Sequence, residues 1–325
     1  MDKIDKLDCK ILYELGDNSR QSYKQIARNI HSKKEVVAYH FQQLIKKRII
    51  TKFVPVFALS RLGVFSSKMY IKLKGLKKED EKELFESLVN DKKIAWVARC
   101  LGNWDLLLGM YSRNIIEFGR LKEQILNKHG KHFRSYEITH IEDGLVFNRD
   151  YLIDKKTDYR DNFLFGGNIA ENKLNKEELN IINFIKNNAR FTSLEIANKF
   201  GIDARTVLKI INNLKKKQIL QGYTVFIDLK KLGLQLHKLC FYLENHNEKD
   251  FQTLMQYLKQ NKRVIHLIKS QGSWELEAEI EDSNLEHIYS YVTDLKNIFP
   301  DFIREISLVS ITDEMKLDFF PDDLN

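Results

Sequence analysis

The chain has 325 residues, of which 43% are hydrophobic and 30% charged, with a net charge of +8. That length calls for two or more domains, and the lack of any apolar run of about eighteen residues excludes a helical membrane span. MDKIDKLDCK lacks the apolar core of a signal peptide. Cys9, Cys100 and Cys240 are too few and too scattered for a disulfide framework or a metal site, so a cytoplasmic location is expected.

In chain order, Leu7, Ile11, Leu12 and Leu15 mark a helix over 6–17. A short helix follows from Tyr23 to Ile30. After the break HSKK a third helix spans roughly 34–47 and buries Val37, Phe41 and Leu44. ITKFVPVF then reads as β. SKMYIKLKG (67–75) alternates as a strand, and 79–90 is an amphipathic helix with Leu84, Phe85 and Leu88 inward. Strands at 94–101 and 104–111 flank a turn at Gly102-Asn103. A helix over 114–128 and a strand over 135–147 complete a β-α-β-β-α-β order, the ferredoxin-like split.

Everything then repeats. At a constant offset of 170 residues DNSR (17–20) meets NNAR (187–190), QIARNI (25–30) meets EIANKF (195–200), and GNWDL (102–106) meets GSWEL (272–276). The second copy predicts helices over 177–187, 193–200 and 204–217, with Asp203 capping the last, then the β run LQGYTVFI. Strands follow near 236–244, 263–270, 274–281 and 303–311, with helices at 247–260 and 284–298. The chain is therefore a duplication of a two-domain unit. Its pieces are winged helix-turn-helix domains at 1–63 and 173–233, βαββαβ domains at 64–147 and 234–325, and a linker at 148–172. The fold class is α+β.

Charge separates these pieces. Residues 1–63 and 173–233 each carry +7, residues 64–150 carry +3, and residues 234–325 carry −8. The small helical pieces are thus the expected anion-binding parts, and double-stranded DNA the expected partner. The third helix would enter the major groove. Its outward side chains are Lys34, Glu35, Ala38, Tyr39, Gln42 and Gln43, with His40 nearby, in copy one. In copy two they are Ala204, Arg205, Leu208, Lys209, Asn212 and Asn213. Gln, Asn, Arg and Lys can bond base edges. Lys46, Lys47 and Arg48, and Lys215, Lys216 and Lys217, close the two helices where a phosphate would lie. One such cluster is ordinarily just a solvated helix end; two at the same place in a repeat favour phosphate.

The I-I-T-K-F and I-L-Q-G-Y exits, the N-x-R after the first helix, the L-G pairs and the G-x-W-D/E hairpin together resemble the leucine-responsive regulator/AsnC (Lrp/AsnC) family of prokaryotic transcription factors. The resemblance covers nearly the whole chain, twice. It implies a DNA-binding domain joined to a dimerising (RAM-type) domain that in many members binds an amino acid. Two units in one chain imply self-association as an internal pseudo-dimer, sheet against sheet, or a homo-oligomer. The family's effector pocket lies near the hairpin, so Gly102, Asp105, Gly272 and Glu275 are candidate effector residues; an acid there could meet an ammonium group. Against that reading, the glycines serve the turn and Trp104 and Trp274 anchor packing.

WELEAEIE (274–281) sets Glu275, Glu277, Glu279 and Glu281 on one strand face. Exposure, or contact with a basic partner such as the first βαββαβ domain, is expected rather than a metal site. The linker aromatics Tyr151, Tyr159, Phe163 and Phe165 predict a packed segment with Gly166-Gly167 as a pivot. No nucleophile triad, P-loop or zinc spacing suggests an enzyme, and no cofactor is implied. The rival reading is a sirohaem decarboxylase, since such enzymes are built from paired units of this family. The histidines to inspect for it are His237, His246, His266 and His287.

Overall fold

In a computed structural model, which describes residues 4–155, 160, 162–245 and 247–320, the repeat is a nearly two-fold symmetric molecule. Copy one contributes α1 (Lys6–Asp17), α2 (Tyr23–Asn29), α3 (Lys34–Lys46), β1 (Ile50–Phe57), β2 (Phe65–Leu73), α4 (Lys78–Asn90), β3 (Ile94–Gly102), β4 (Leu106–Ser112), α5 (Ile115–His129) and β5 (Phe133–Phe147). The linker forms β6 (Asn162–Gly166). Copy two supplies α6 (Lys176–Ile185), α7 (Ser193–Phe200), α8 (Ala204–Lys216), β7 (Leu220–Ile227), β8 (Gln235–Leu243), α9 (Glu248–Gln260), β9 (Val264–Gly272), β10 (Leu276–Asp282), α10 (Leu285–Ile298) and β11 (Ile303–Leu317). Tyr159 and His246 lie outside the described residues.

The helix starts follow from local chemistry. Asp5 and Asp8 form a reciprocal capping box on α1, and Asn175 and Glu178 form the same box on α6, 170 residues on. Asp203 caps α8, its Oδ1 accepting the Arg205 N–H at 2.7 Å. α3 has no such cap, since Lys33 stands there. The turn before α8 uses Gly201 in the left-handed region; before α3 the same conformation is forced on His31.

The copies exchange structure in two places. β1 pairs antiparallel with β7, so the wing is one ribbon shared by both heads. Phe57, Leu59 and Val64 enter the core of the second head, while Val225 enters that of the first. Each head therefore takes part of its core from the other copy.

Reciprocal bonds hold this crossing. The Ser19 N–H donates to the Tyr223 carbonyl at 3.0 Å and the Ala189 N–H to that of Phe53 at 2.8 Å. Arg20 donates to the Phe191 carbonyl at 2.8 Å, and Arg190 to the carbonyls of Ser19 and Gln21. The arginine of the N-x-R repeat is thus the strut between heads.

The second exchange closes the sheets. β5 begins on β2 and continues onto β9; β11 begins on β8 and continues onto β3. Eight strands in the order β2-β4-β3-β11-β8-β10-β9-β5 return to β2, and β6 hangs on the far part of β5. Closure removes the exposed edges that two separate sheets would leave. β11 runs to Leu317, six residues past the expected end at 311. Outside, α4 and α5 cover Met69, Val97, Leu106 and Leu108, while α9 and α10 cover Leu239, Phe241, Leu276 and Ala278. Inside, the two copies face each other through Tyr70, Trp96, Trp104, Cys240 and Trp274. The linker is packed: Phe163 lies on Gly222, Phe165 on Gly144, and Ala170 and Asn172 bond to Ser60 and Arg61.

Candidate nucleic-acid interface

The third helices keep the expected inward stripes, Val37, Phe41 and Leu44 in α3 and Val207, Ile211 and Leu214 in α8. Their outer faces differ in kind. α3 presents Lys34, Gln42 and Lys46, with Tyr39 63% exposed, and Gln42 bonds the Tyr23 hydroxyl at 3.0 Å. α8 presents Arg205, Lys209 and Asn212 around Leu208, which is 50% exposed. Gln43 and Asn213 are half-buried at the margin of these faces. Lys47 and Arg48 are exposed beyond α3, Arg48 in a left-handed turn that Gln218 repeats. Lys215 and Lys216 are exposed at the end of α8.

Two residues of the expected set do other work. His40 turns back to α1, its Nδ1 2.8 Å from Asp8 Oδ1 and 3.9 Å from Asp5. It braces α3 against α1, a use that its place between outward Tyr39 and inward Phe41 does not reveal. The signal was the acid pair Asp5 and Asp8 on the facing helix. Lys217 pairs with the buried Glu178 at 3.0 Å and ties α8 to α6. Both side chains tie helices together within their own heads.

The hairpins are places of close approach between the copies. Gly102 has φ +119° and Gly272 φ +139°, and a Cβ on Gly102 would stand 2.6 Å from the Leu308 carbonyl oxygen. On Gly272 it would collide with the Ile138 carbonyl in the same way. Each glycine thus lets one copy's backbone reach the other's strand. Asp105 accepts the Leu73 N–H at 2.9 Å and Lys72 at 3.0 Å; Glu275 accepts the Leu243 N–H at 2.9 Å. Each acid thus holds the end of a neighbouring strand, Asp105 that of β2 and Glu275 that of β8.

The glutamate run is not exposed. Glu277, Glu279 and Glu281 have 0%, 5% and 1% of their surface accessible. Of the two expectations, exposure is overturned for these three and partner contact is what the structure has. Glu277 accepts Lys68 at 2.6 Å, Lys238 at 2.8 Å, the Tyr70 hydroxyl at 2.7 Å and the Trp274 indole at 3.0 Å. Glu279 takes Lys238 at 2.7 Å and His266 at 2.6 Å. Glu281 receives a bidentate fork from Arg149 and the Tyr151 hydroxyl. Burial alone would raise Glu277, but Lys238 and Lys68 overrule it and hold the carboxyl down to about 2. Burial beside a second cation pushes Lys68 down to about 8. The lysines at 68 and 238 are the same position in the two copies, which is the sequence signal for this network. Copy one has Leu107 where copy two has Glu277, and the Trp104 indole N–H accordingly has no partner among the described residues.

Of the histidines singled out, His237 bonds Ser310 at 2.9 Å, His266 is committed to Glu279, and His287 to Asp282 at 3.2 Å. They do not converge.

Two basic three-helix heads joined by a shared ribbon define a winged helix-turn-helix protein in duplicate. A family profile described as winged helix-turn-helix DNA-binding matches residues 4–51 and 174–221, one match per head. LrpA, an HTH-type transcriptional regulator of Pyrococcus horikoshii, is 35% identical over 92 residues, covering 28% of this chain and 64% of LrpA. An uncharacterized HTH-type transcriptional regulator of the same organism is 29% identical over 122 residues, 36% of this chain and 79% of the relative. In each of its two copies the chain is thus similar to HTH-type transcriptional regulators. Along its full length it is similar in fold to the crystal structure of the siroheme decarboxylase NirDL, with a TM-score of 0.64, 14% identity, and coverage of 97% of this chain and 93% of that one. Among the described residues no helix is long and apolar enough to cross a membrane.

Proposed function

We propose that the chain is a sequence-specific DNA-binding regulator of the cytoplasm whose two heads read unequal half-sites. The observation that carries this reading is the pair of third helices with exposed but different polar faces, held in one relative placement by the β1–β7 ribbon and the Arg20 and Arg190 struts. Arg205, Lys209, Asn212 and Asn213 in one head, and Lys34, Tyr39, Gln42 and Gln43 in the other, read bases. Lys46, Lys47, Arg48, Lys215 and Lys216 hold phosphate. The operator is then an imperfect palindrome. Modulation by an amino-acid effector belongs to the proposal at the level of the sheet domains. At Gly102, Asp105, Gly272 and Glu275 it would cost the bonds to Leu73 and Leu243.

Binding-site selection on the purified chain, followed by mobility shift, tests this. Reversing Arg205 and Lys209 to Glu should abolish the shift of the selected site at moderate salt. No shift at low salt, with no effect of the reversal, would refute it.

The full-length likeness in fold to a sirohaem decarboxylase keeps that enzyme as the second reading. It predicts tight binding of added sirohaem, visible as a shifted tetrapyrrole absorption band. Tyr70, Trp96 and Trp274 already fill the space between the copies, which speaks against it.

A further inference from the structure

The joint between the first and third helices is built differently in the two heads. In the second head the buried Glu178 of α6 is met by Lys217 at 3.0 Å, a permanent cation. Its counterpart in the first head is Asp8 of α1, which is 8% exposed. Lys47 stands where Lys217 does, but it is exposed, and Asp8 instead meets His40 of α3 at 2.8 Å. The second copy has Ile210 at the place of His40 and Asn175 at the place of Asp5. Two carboxylates and an imidazole therefore stand where the other head uses one carboxylate and an ammonium.

The capping box leaves each of these carboxylates one oxygen to spare. Asp5 Oδ1 accepts the Leu7 and Asp8 N–H groups, both at 2.8 Å, and Asp8 Oδ2 accepts the Asp5 N–H at 3.1 Å. The other two oxygens turn to one nitrogen: Asp8 Oδ1 lies 2.8 Å and Asp5 Oδ2 3.9 Å from His40 Nδ1. All three ligand atoms lie within 4.8 Å of one another, and no other such group of His, Cys, Asp and Glu atoms does so among the described residues. Capping alone does not call for the charge at Asp5, since Asn caps as well and Asn175 does so in the second copy. Around a tetrahedral zinc ion with bonds of about 2.0–2.1 Å, ligand atoms stand roughly 3.3 Å apart. One spacing here must open and the other close by about half an ångström, which side-chain torsions allow. The backbone N–H bonds of the cap fix the carboxylates as outer partners fix metal ligands. The positive end of α1 amounts to about half a charge against two carboxylates, so the group attracts a cation.

We propose that Asp5, Asp8 and His40 bind a divalent transition-metal ion of the zinc class, at a site the second head does not share. Imidazole among the ligands favours such an ion over magnesium or calcium. The Asp5 side chain is 60% exposed, which leaves an open side for entry and for water as the fourth ligand. The bound ion ties α3 to α1 as Lys217 ties α8 to α6, but only while metal is present. One third helix is then metal-responsive and the other is fixed. Only the consequence for reading rests on the proposed DNA binding; the binding of the ion does not.

The untagged full chain, stripped with a chelator, is titrated calorimetrically with zinc chloride in the absence of DNA. One saturable site per chain is expected, and zinc should raise the melting temperature. Asp5→Asn keeps the helix cap but removes the spare carboxylate oxygen, and His40→Ala removes the nitrogen. Each should weaken zinc binding tenfold or more and abolish the zinc-dependent rise in melting temperature. His132→Ala, between α5 and β5, should leave both unchanged. If His40→Ala unfolds the first head, Asp5→Asn decides. Absence of saturable binding overturns the proposal. So does binding that survives both site variants, or that falls equally in His132→Ala.

Discussion

Replacing Glu277 with Leu, the residue copy one carries at the same place, asks how much of the molecule hangs on one carboxylate. The change removes the common acceptor of Lys68, Lys238, Tyr70 and Trp274. Lys238 keeps Glu279, but Lys68 is left as a buried cation with no acid within bonding distance among the described residues. Breaking a buried pair by deleting one partner costs about 3–5 kcal/mol. For a cooperative chain of 325 residues that is a fall of roughly 4–7 °C in melting temperature. Differential scanning calorimetry at neutral pH measures it. The double variant Lys68→Met, Glu277→Leu removes both charges and should recover at least half of the loss. The acid limb gives a second readout. Glu277 is held down to about 2 against an ordinary 4.5, so its contribution is complete above the ordinary value and fades as pH falls from there toward 2. The gap between parent and Glu277→Leu should therefore narrow on acidification. A melting shift within about 1 °C of the parent, or a double variant as damaged as the sum of the singles, refutes the reasoning.

Two further variants separate roles that look alike. Gly272→Ala should cost about 1–3 kcal/mol, because φ is +139° and the new methyl meets the Ile138 carbonyl; denaturant unfolding reads it, and Gly102→Ala should behave similarly against Leu308. Lys216→Ala should weaken DNA binding and lower the salt slope by about one unit while leaving the melt unchanged. Lys217→Ala should lower the melting temperature instead, since it frees the buried Glu178.

Much of the secondary structure was legible because apolar spacing reports it directly. The three helices of each head and the βαββαβ order emerged with boundaries close to those found, and the repeat made each copy a check on the other. The site was legible to the extent that outward positions follow from inward ones: Arg205, Lys209 and Asn212 are exposed because Val207, Ile211 and Leu214 are not. What stayed hidden was what covers each face. Alternation in WELEAEIE places the glutamates together, but the same pattern serves a solvated strand and one buried against lysines. Only the paired Lys68 and Lys238 pointed to the second. The end of β11 was missed because ITDEMKL offers little apolar signal; its pairing with β3 rests on backbone bonds that any side chain permits.

The exchange between copies bears on why two units share one chain. Each head takes part of its core from the other unit, and each long strand finishes on the other unit's sheet. Neither unit as drawn in sequence can bury its apolar surface alone. Once fused, the two copies can diverge without losing their partner, since the neighbour is supplied at high effective concentration. The divergence seen is of that kind: Leu107 against Glu277, Gly109 against Glu279, Trp96 against His266. An acid run on one side that meets lysines from both would be self-repelling in a symmetric dimer, where two such runs would face each other. The Glu277 network is therefore an interface that needs an unequal pair, which fusion supplies, and the differing outer faces of α3 and α8 follow from the same freedom.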